Sequence, residues 1–169
     1  LEVAAVTINL DQQQQLYPDQ IFHEHLLPFE GANLEPEALA FTGIVPEQAL
    51  RFAQSEMDGL HSLFQALNTL IERYDCQRGV LIGHNPSFDL SFIQAACKRQ
   101  QLTSPFHHFT TFDTATLGAI ATGQTVLIKA CQMMKIDFDP KEAHSALYDA
   151  QKTAELFCRI ANAYPLKLF

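Results

Sequence analysis

Two short segments carry residues able to do hydrolytic chemistry. The first, Gly83-His84-Asn85-Pro86-Ser87-Phe88-Asp89, follows the apolar run Val80-Leu81-Ile82 and opens a helical stretch. A carboxylate in a first helical turn is favoured by the positive end of the helix dipole, and His84 and Asn85 suit a turn. Taken alone, this segment is equally well a plain strand-to-helix corner. The second, His144-Ser145-Ala146-Leu147-Tyr148-Asp149, places a carboxylate beside Leu147 and Ala150 on an otherwise apolar helix. A lone carboxylate near a buried face is costly unless a cation or a donor meets it. His144 would sit on a different face if it were helical. With Ser145 as the helix cap, His144 instead belongs to the incoming loop and can fold over Asp149. A histidine serving only as a local cap is the competing reading. Together the segments deliver two carboxylates near helix N-termini and one histidine beside them. Carboxylates with water suit a hard divalent ion, Mg²⁺ or Mn²⁺. A histidine titrating near ~6.5 can take a proton from water at neutral pH. That is the equipment of phosphodiester hydrolysis with two ions roughly 4 Å apart.

The elements that must hold these groups are legible from periodicity. The opening run Leu1 to Ile8 and the segment Ile21 to Leu27 are rich in strand formers, and the polar stretch from Asp11 to Gln15 between them predicts a hairpin or an adjacent strand pair with a Gln-rich loop. A short helix is expected over Glu37 to Phe41. From Glu56 to Tyr74 the residues Met57, Leu60, Leu63, Phe64, Leu67, Leu70, Ile71 and Tyr74 form one helical stripe, and Ser55 with Asp58 predicts its cap. A short buried strand over Val80 to Ile82 and a helix over Ser87 to Arg99 follow. Next come a strand over Phe109 to Phe112 and shorter helices around 114–121 and 125–134. A final long helix runs from Ser145 to Ala163, with Ala146, Leu147, Ala150, Ala154, Phe157 and Ile160 inward. Strands first, then helices alternating with buried strands, predict an α/β fold with a mixed sheet.

The chain has 169 residues, 47% apolar and 18% charged, which suits one globular domain spanning 1–169 and excludes a disordered class. Its net charge of −8 argues against coating nucleic acid by bulk charge. The charge is uneven. Residues 1–75 contain only Arg51 and Arg73 against twelve carboxylates, whereas the remainder is slightly basic. Any polyanion contact should favour the second half. No apolar run approaches the ~20 residues of a membrane span. Cys76, Cys97, Cys131 and Cys158 are scattered, which predicts reduced thiols and a cytoplasmic protein. A zinc site built from the seven histidines is disfavoured, because His107-His108 and His23-x-His25 lack matching ligands.

The pattern H-N-x-x-F-D followed by H-x-A-x-x-D resembles the DEDDh family of 3′–5′ exonucleases. The segments Pro36 to Ile44, Pro105 to His107, Thr111 to Thr114, Gly123 to Leu127, Lys129 to Gln132 and Ala143 to Asp149 are similar to its ribonuclease T branch. The likeness covers Leu1 to about Asn162. It implies a ribonuclease H-like mixed sheet flanked by helices and an exoribonuclease that trims 3′ ends of tRNA and other stable RNAs. It further implies Asp89 and Asp149 as metal ligands, His144 as general base, and two Mg²⁺ or Mn²⁺ ions. Phe41, Phe88 and Phe109 would stack on or wedge beside terminal bases, and Glu37 would hydrogen-bond a base edge. Asn85, Asp113 and Arg78 would support the site. A homodimer with a basic RNA-gripping surface around Arg78, Lys98 and Arg99 is implied as well. Thirteen Phe and no Trp agree with a stacking mode of binding.

The family pattern needs four carboxylates, and its Asp-x-Glu is absent from this chain. Glu2 matches a later glutamate and is not counted as a ligand. The chain is therefore expected to begin after the first strand, to bind metal weakly and to be catalytically inactive, while the full-length protein is expected to be an active exonuclease. Two other readings stay open. One is a proofreading-type exonuclease acting on single-stranded DNA. The other is a lapsed nuclease fold that binds nucleic acid or protein.

Overall fold

The computed structural model describes residues 1–42, 45 and 52–164, with the side chains of residues 41 and 42 outside that description. Strands β1 (Glu2–Leu10) and β2 (Leu16–His25) form an antiparallel hairpin, paired from Glu2 opposite His25 to Leu10 opposite Leu16 with a register shift between Val6 and Ile8. Its turn is built by Asp11, whose Oδ1 accepts the N–H groups of Gln13 and Gln15 at 2.8 Å each, while Gln14 takes a positive φ of 61°. The carboxylate thus satisfies backbone donors that the turn would otherwise leave open.

Helix α1 (Pro36–Thr42) leads towards α2 (Glu56–Arg73), and Ser55 caps α2 by accepting the Asp58 N–H. The apolar stripe of α2 buries Leu60, Leu63 and Phe64 against Leu26 and against Ala96 and Cys97 of α3 (Pro86–Gln100). Approach is close here. A Cβ on Gly59 would run into Leu26 Cδ2, so a methyl there would force the Leu26 side chain aside. A second core gathers Ala130 and Cys131 of α5 (Leu127–Met133), Ile136, and Leu156 and Ile160 of α6 (Ala146–Ala163). Helix α4 (Thr114–Thr122) packs beside α5 and α6.

The strands β3 (Gly79–Gly83) and β4 (Phe106–Asp113) pair in parallel. The α/β class is as the sequence predicts, with sheets flanked by helices. Among the described residues the strands form two separate pairs, one antiparallel and one parallel, and α6 bridges them by packing on β1, β2 and β3. One expectation fails locally. Val80 was to lie in a buried strand, yet it is 39% exposed. A parallel strand becomes fully buried only when both faces are covered. Among the described residues β3 is hydrogen-bonded to β4 alone, and the helices that pack on it leave Val80 open to solvent.

No helix among the described residues is long and apolar enough to cross a membrane. All four cysteines are free; Cys97, Cys131 and Cys158 are buried and Cys76 is exposed.

Candidate active site

The site begins at the N-terminus of α6. Ser145 adopts an extended backbone and its Oγ accepts the Tyr148 N–H, as a helix cap should. His144, just before it, takes φ 75°, and that turn points its backbone N–H at Asp149 Oδ2, 3.3 Å away. The loop and the carboxylate are therefore fastened to each other. Burial pushes the Asp149 carboxyl above its ordinary range and the negative charge of Glu2 adds to that, while the His144 N–H and the charges of His144 and His84 oppose it.

Glu2 holds this corner from the other side. Its Oε2 accepts the Ala146 N–H at 3.1 Å, and its Oε1 accepts the Ser145 hydroxyl at 3.5 Å and lies 2.8 Å from His23 Nε2. Sequence reasoning set Glu2 aside as a non-ligand and missed its part as an anchor. The available signal was a single acid at the start of the apolar strand Leu1-Glu2-Val3-Ala4-Ala5-Val6.

The second carboxylate comes from α3. Asn85 precedes this helix at φ 69° and Pro86 occupies its first turn, where a missing N–H costs nothing. Asp89 sits one turn in and is driven above the ordinary carboxylate range by burial, with its own backbone N–H opposing. Gly83 makes room for it. A Cβ at Gly83 would stand 2.9 Å from Pro86 Cβ and 3.4 Å from Asp89 Oδ2. Gly83 at the end of β3 abuts Asp89, and α6, whose first turn carries Asp149, packs on the same strand.

The neighbouring polar residues have structural tasks. His84 bridges the Thr114 hydroxyl, 3.0 Å from Nδ1, and the Thr125 carbonyl, 2.8 Å from Nε2. Asp113 caps α4 by accepting the N–H groups of Ala115 and Thr116, and it also accepts the Asn85 N–H at 3.0 Å. Burial works against its ionisation, yet the Thr116 hydroxyl and these three N–H groups hold its carboxyl below the usual range. Asn85 and Asp113 therefore brace the corner that carries Asp89.

The aromatic candidates are presented unevenly. Phe88 is 61% exposed and lies 4.8 Å from Phe92, and Phe109 on β4 is 69% exposed. Glu37 is exposed in the first turn of α1, and the Phe41 side chain lies outside the described residues. Arg78 is exposed immediately before β3. Arg99, grouped with it as part of a basic surface, is otherwise engaged. Its guanidinium grips Glu56 at 2.7 and 3.1 Å and lies 4.0 Å over the Phe29 ring.

Asp89 and Asp149 are hard oxygen donors, each held above its ordinary pKa by burial and neither ion-paired among the described residues. That chemistry fits a divalent cation, which would relieve the burial cost of both. The number of donors is small. Among the described residues no three His, Cys, Asp or Glu side chains come together as a ligand cluster.

Comparison with known proteins agrees with this geometry. The exonuclease family model RNase T matches residues 1–157. The chain is 52% identical over 165 residues to a ribonuclease T of Enterobacter sp. (strain 638), covering 97% of this chain and 74% of that protein. It is 52% identical to a ribonuclease T of Citrobacter koseri and 51% to one of Escherichia coli (strain K12), in each case over 97% of this chain and 77% of the relative. Exonucleases of this kind generally use divalent metal ions. The two carboxylates in the first turns of α3 and α6, the histidine loop fastened to one of them and the match over nearly the whole sequence converge: this chain belongs to the RNase T exonuclease family.

Proposed function

We propose that this chain is the body of a 3′–5′ exoribonuclease that trims the 3′ ends of tRNA and other stable RNAs, releasing nucleoside 5′-monophosphates. The observation that carries the reading is the fastening of the His144 loop to Asp149 beside the strand end that also seats Asp89. Asp89 and Asp149 hold Mg²⁺ or Mn²⁺. Bound divalent ions would offset charge on the scissile phosphate and ease ionisation of the attacking water. The His144 imidazole accepts the proton of that water. Phe88 and Phe109, with Phe41, stack on terminal bases, and Glu37 reads a base edge. Stacking contributes about 1–3 kcal/mol per base and needs little charge, which suits a chain of net charge −8. With Arg99 occupied by Glu56, Arg78 and Lys98 supply the remaining basic grip, completed in a homodimer by the partner.

The 169 residues contain no Asp-x-Glu. Two carboxylates carry half the charge of a four-carboxylate set, so this polypeptide by itself binds metal weakly and turns over little.

Mononucleotide release from a 3′-overhanging RNA tests both statements. The chain as it stands should be nearly silent with Mg²⁺. Extended by an upstream strand bearing Asp-x-Glu, it should be active and should lose about hundredfold or more with His144→Ala. Brisk release by the unextended chain would overturn the weak-metal statement. An inactive extended protein would overturn the nuclease reading, and faster degradation of matched single-stranded DNA would move the assignment to a DNA exonuclease.

A further inference from the structure

Phe109 is an exposed aromatic ring on a strand, and something must keep it there. The pairing of β4 with β3 shows how it is presented. Gly79 pairs with Phe106 and Leu81 pairs with Thr111, so β4 spends five residues where β3 spends two. The surplus lies at residues 107–110 and forms a bulge, a device that re-aims side chains out of a ladder. Inside it, His107 Nδ1 accepts the Thr110 N–H at 3.0 Å and the Phe109 N–H at a longer 3.4 Å. These are donors that the distorted ladder cannot satisfy. The same ring lies edge-on to Phe109, with centroids 4.6 Å apart, and stacks on His108 at 4.9 Å with 15° between the planes. His108 touches Phe109 edge-on as well, at 4.5 Å. Phe109 is thus braced by two imidazoles from its own strand and still exposes 69% of its surface.

We propose that His107 is a positioning residue: its neutral imidazole holds the β4 bulge in the shape that presents Phe109 to a base, so that grip on RNA depends on an unprotonated Nδ1. This rests on the reading of Phe109 as a stacking residue. An acceptor Nδ1 requires the proton on Nε2. Protonation of the ring would turn Nδ1 into a donor facing two other donors, and the bulge would lose both bonds. The charged and titratable groups facing His107 are His108 on its own strand and Arg78 leading into β3, while α3 offers the uncharged Gln94, whose side chain donates to the His108 carbonyl. Desolvation, His108 and Arg78 all press His107 below its ordinary pKa of 6.5. The device is therefore engaged at neutral pH, and it releases as the medium is acidified below that value. Nothing in the proton transfer assigned to His144 requires His107.

The test is fluorescence anisotropy of a 5′-labelled single-stranded oligoadenylate RNA titrated with the chain in EDTA, so that binding is read without turnover. Phe109→Ala is the control for the underlying reading and should weaken binding roughly five- to hundredfold. His107→Ala should weaken it about three- to tenfold, with no further loss when combined with Phe109→Ala, because His107 acts through that ring. His107→Asn, whose side-chain oxygen can accept the same backbone N–H groups, should bind as well as the wild type at pH 8. It should also lack the part of the wild-type weakening that appears below pH 6.5. A full, additive loss in the double variant, or wild-type and His107→Asn profiles that run parallel in pH, would overturn the proposal. Unchanged binding by Phe109→Ala would overturn the stacking reading instead, and the proposal with it. A ¹⁵N spectrum of the imidazole at pH 8 adds a check that needs no RNA, since a protonated Nδ1 would refute the hydrogen-bonding scheme outright.

Discussion

The Glu2 carboxylate accepts the backbone N–H of Ala146 at 3.1 Å, tying the start of β1 to the first turn of α6 across 144 residues of chain. An anion at this place satisfies an orphan N–H and complements the positive end of the helix. Glu2→Ala should lower stability by about 1 kcal/mol, or roughly 2–4 °C in melting temperature, whereas Glu2→Gln, which keeps an acceptor, should cost less. Burial opposes ionisation of Glu2, but the Ala146 N–H and His23 hold its carboxyl below the ordinary 4.5. A depressed carboxylate contributes stability that is present above its unfolded value and lost as pH falls through the folded one. The gap between wild type and Glu2→Ala should therefore narrow below pH 4.5, as thermal denaturation at stepped pH would show.

Asp89 and Asp149 behave in the opposite sense. Burial raises both above 3.8, so their neutral forms favour the fold and stability is lost as pH rises through the raised values. Asp89→Asn and Asp149→Asn should each raise the melting temperature at pH 7 without metal. Both should abolish the stabilisation that the wild type gains from millimolar Mn²⁺. An unchanged response to Mn²⁺ in the two variants would place the metal elsewhere.

Gly83→Ala is expected to disturb chemistry more than stability. The added methyl meets Pro86 at 2.9 Å and approaches Asp89 Oδ2 at 3.4 Å, so the start of α3 must shift. Overpacking of this kind costs about 1–3 kcal/mol. Mn²⁺ affinity measured by titration calorimetry should fall along with the melting temperature, because the displaced helix carries Asp89.

Arg99 should prove to be a structural cation. It pairs with Glu56, which is 5% exposed, and Gln100 donates to the same carboxylate at 2.9 Å. Arg99→Ala leaves that carboxylate buried without its cation. The loss should be about 2–3 kcal/mol, towards the low end for buried pairs because the Arg99 side chain is 34% exposed. Replacing both partners with apolar residues should cost less than removing Arg99 alone. Binding of RNA at 50 mM salt should change little, and a large loss there with stability intact would return Arg99 to the RNA-gripping surface.

Much of this molecule could be read from the order of its residues, because helical and strand periodicities are local. The Leu60, Leu63 and Phe64 part of the α2 stripe, the Ser55 and Ser145 caps and the turn at Asp11 depend on neighbours within a few positions and lie where the spacing puts them, whereas Met57 and Tyr74 at the ends of the stripe are exposed. The fold-over of the His144 loop onto Asp149 was also legible, through the one motif that contains both. Three things were decided only by the tertiary structure. Val80 is uncovered because burial of a strand depends on what packs against its faces, which no run of apolar residues encodes. Arg99 leaves the basic surface because Glu56, 43 residues away, offers a buried partner that charge counting cannot see. Glu2 becomes an anchor of the active corner because folding sets its carboxylate against the exposed N–H groups of a helix that begins at the other end of the chain.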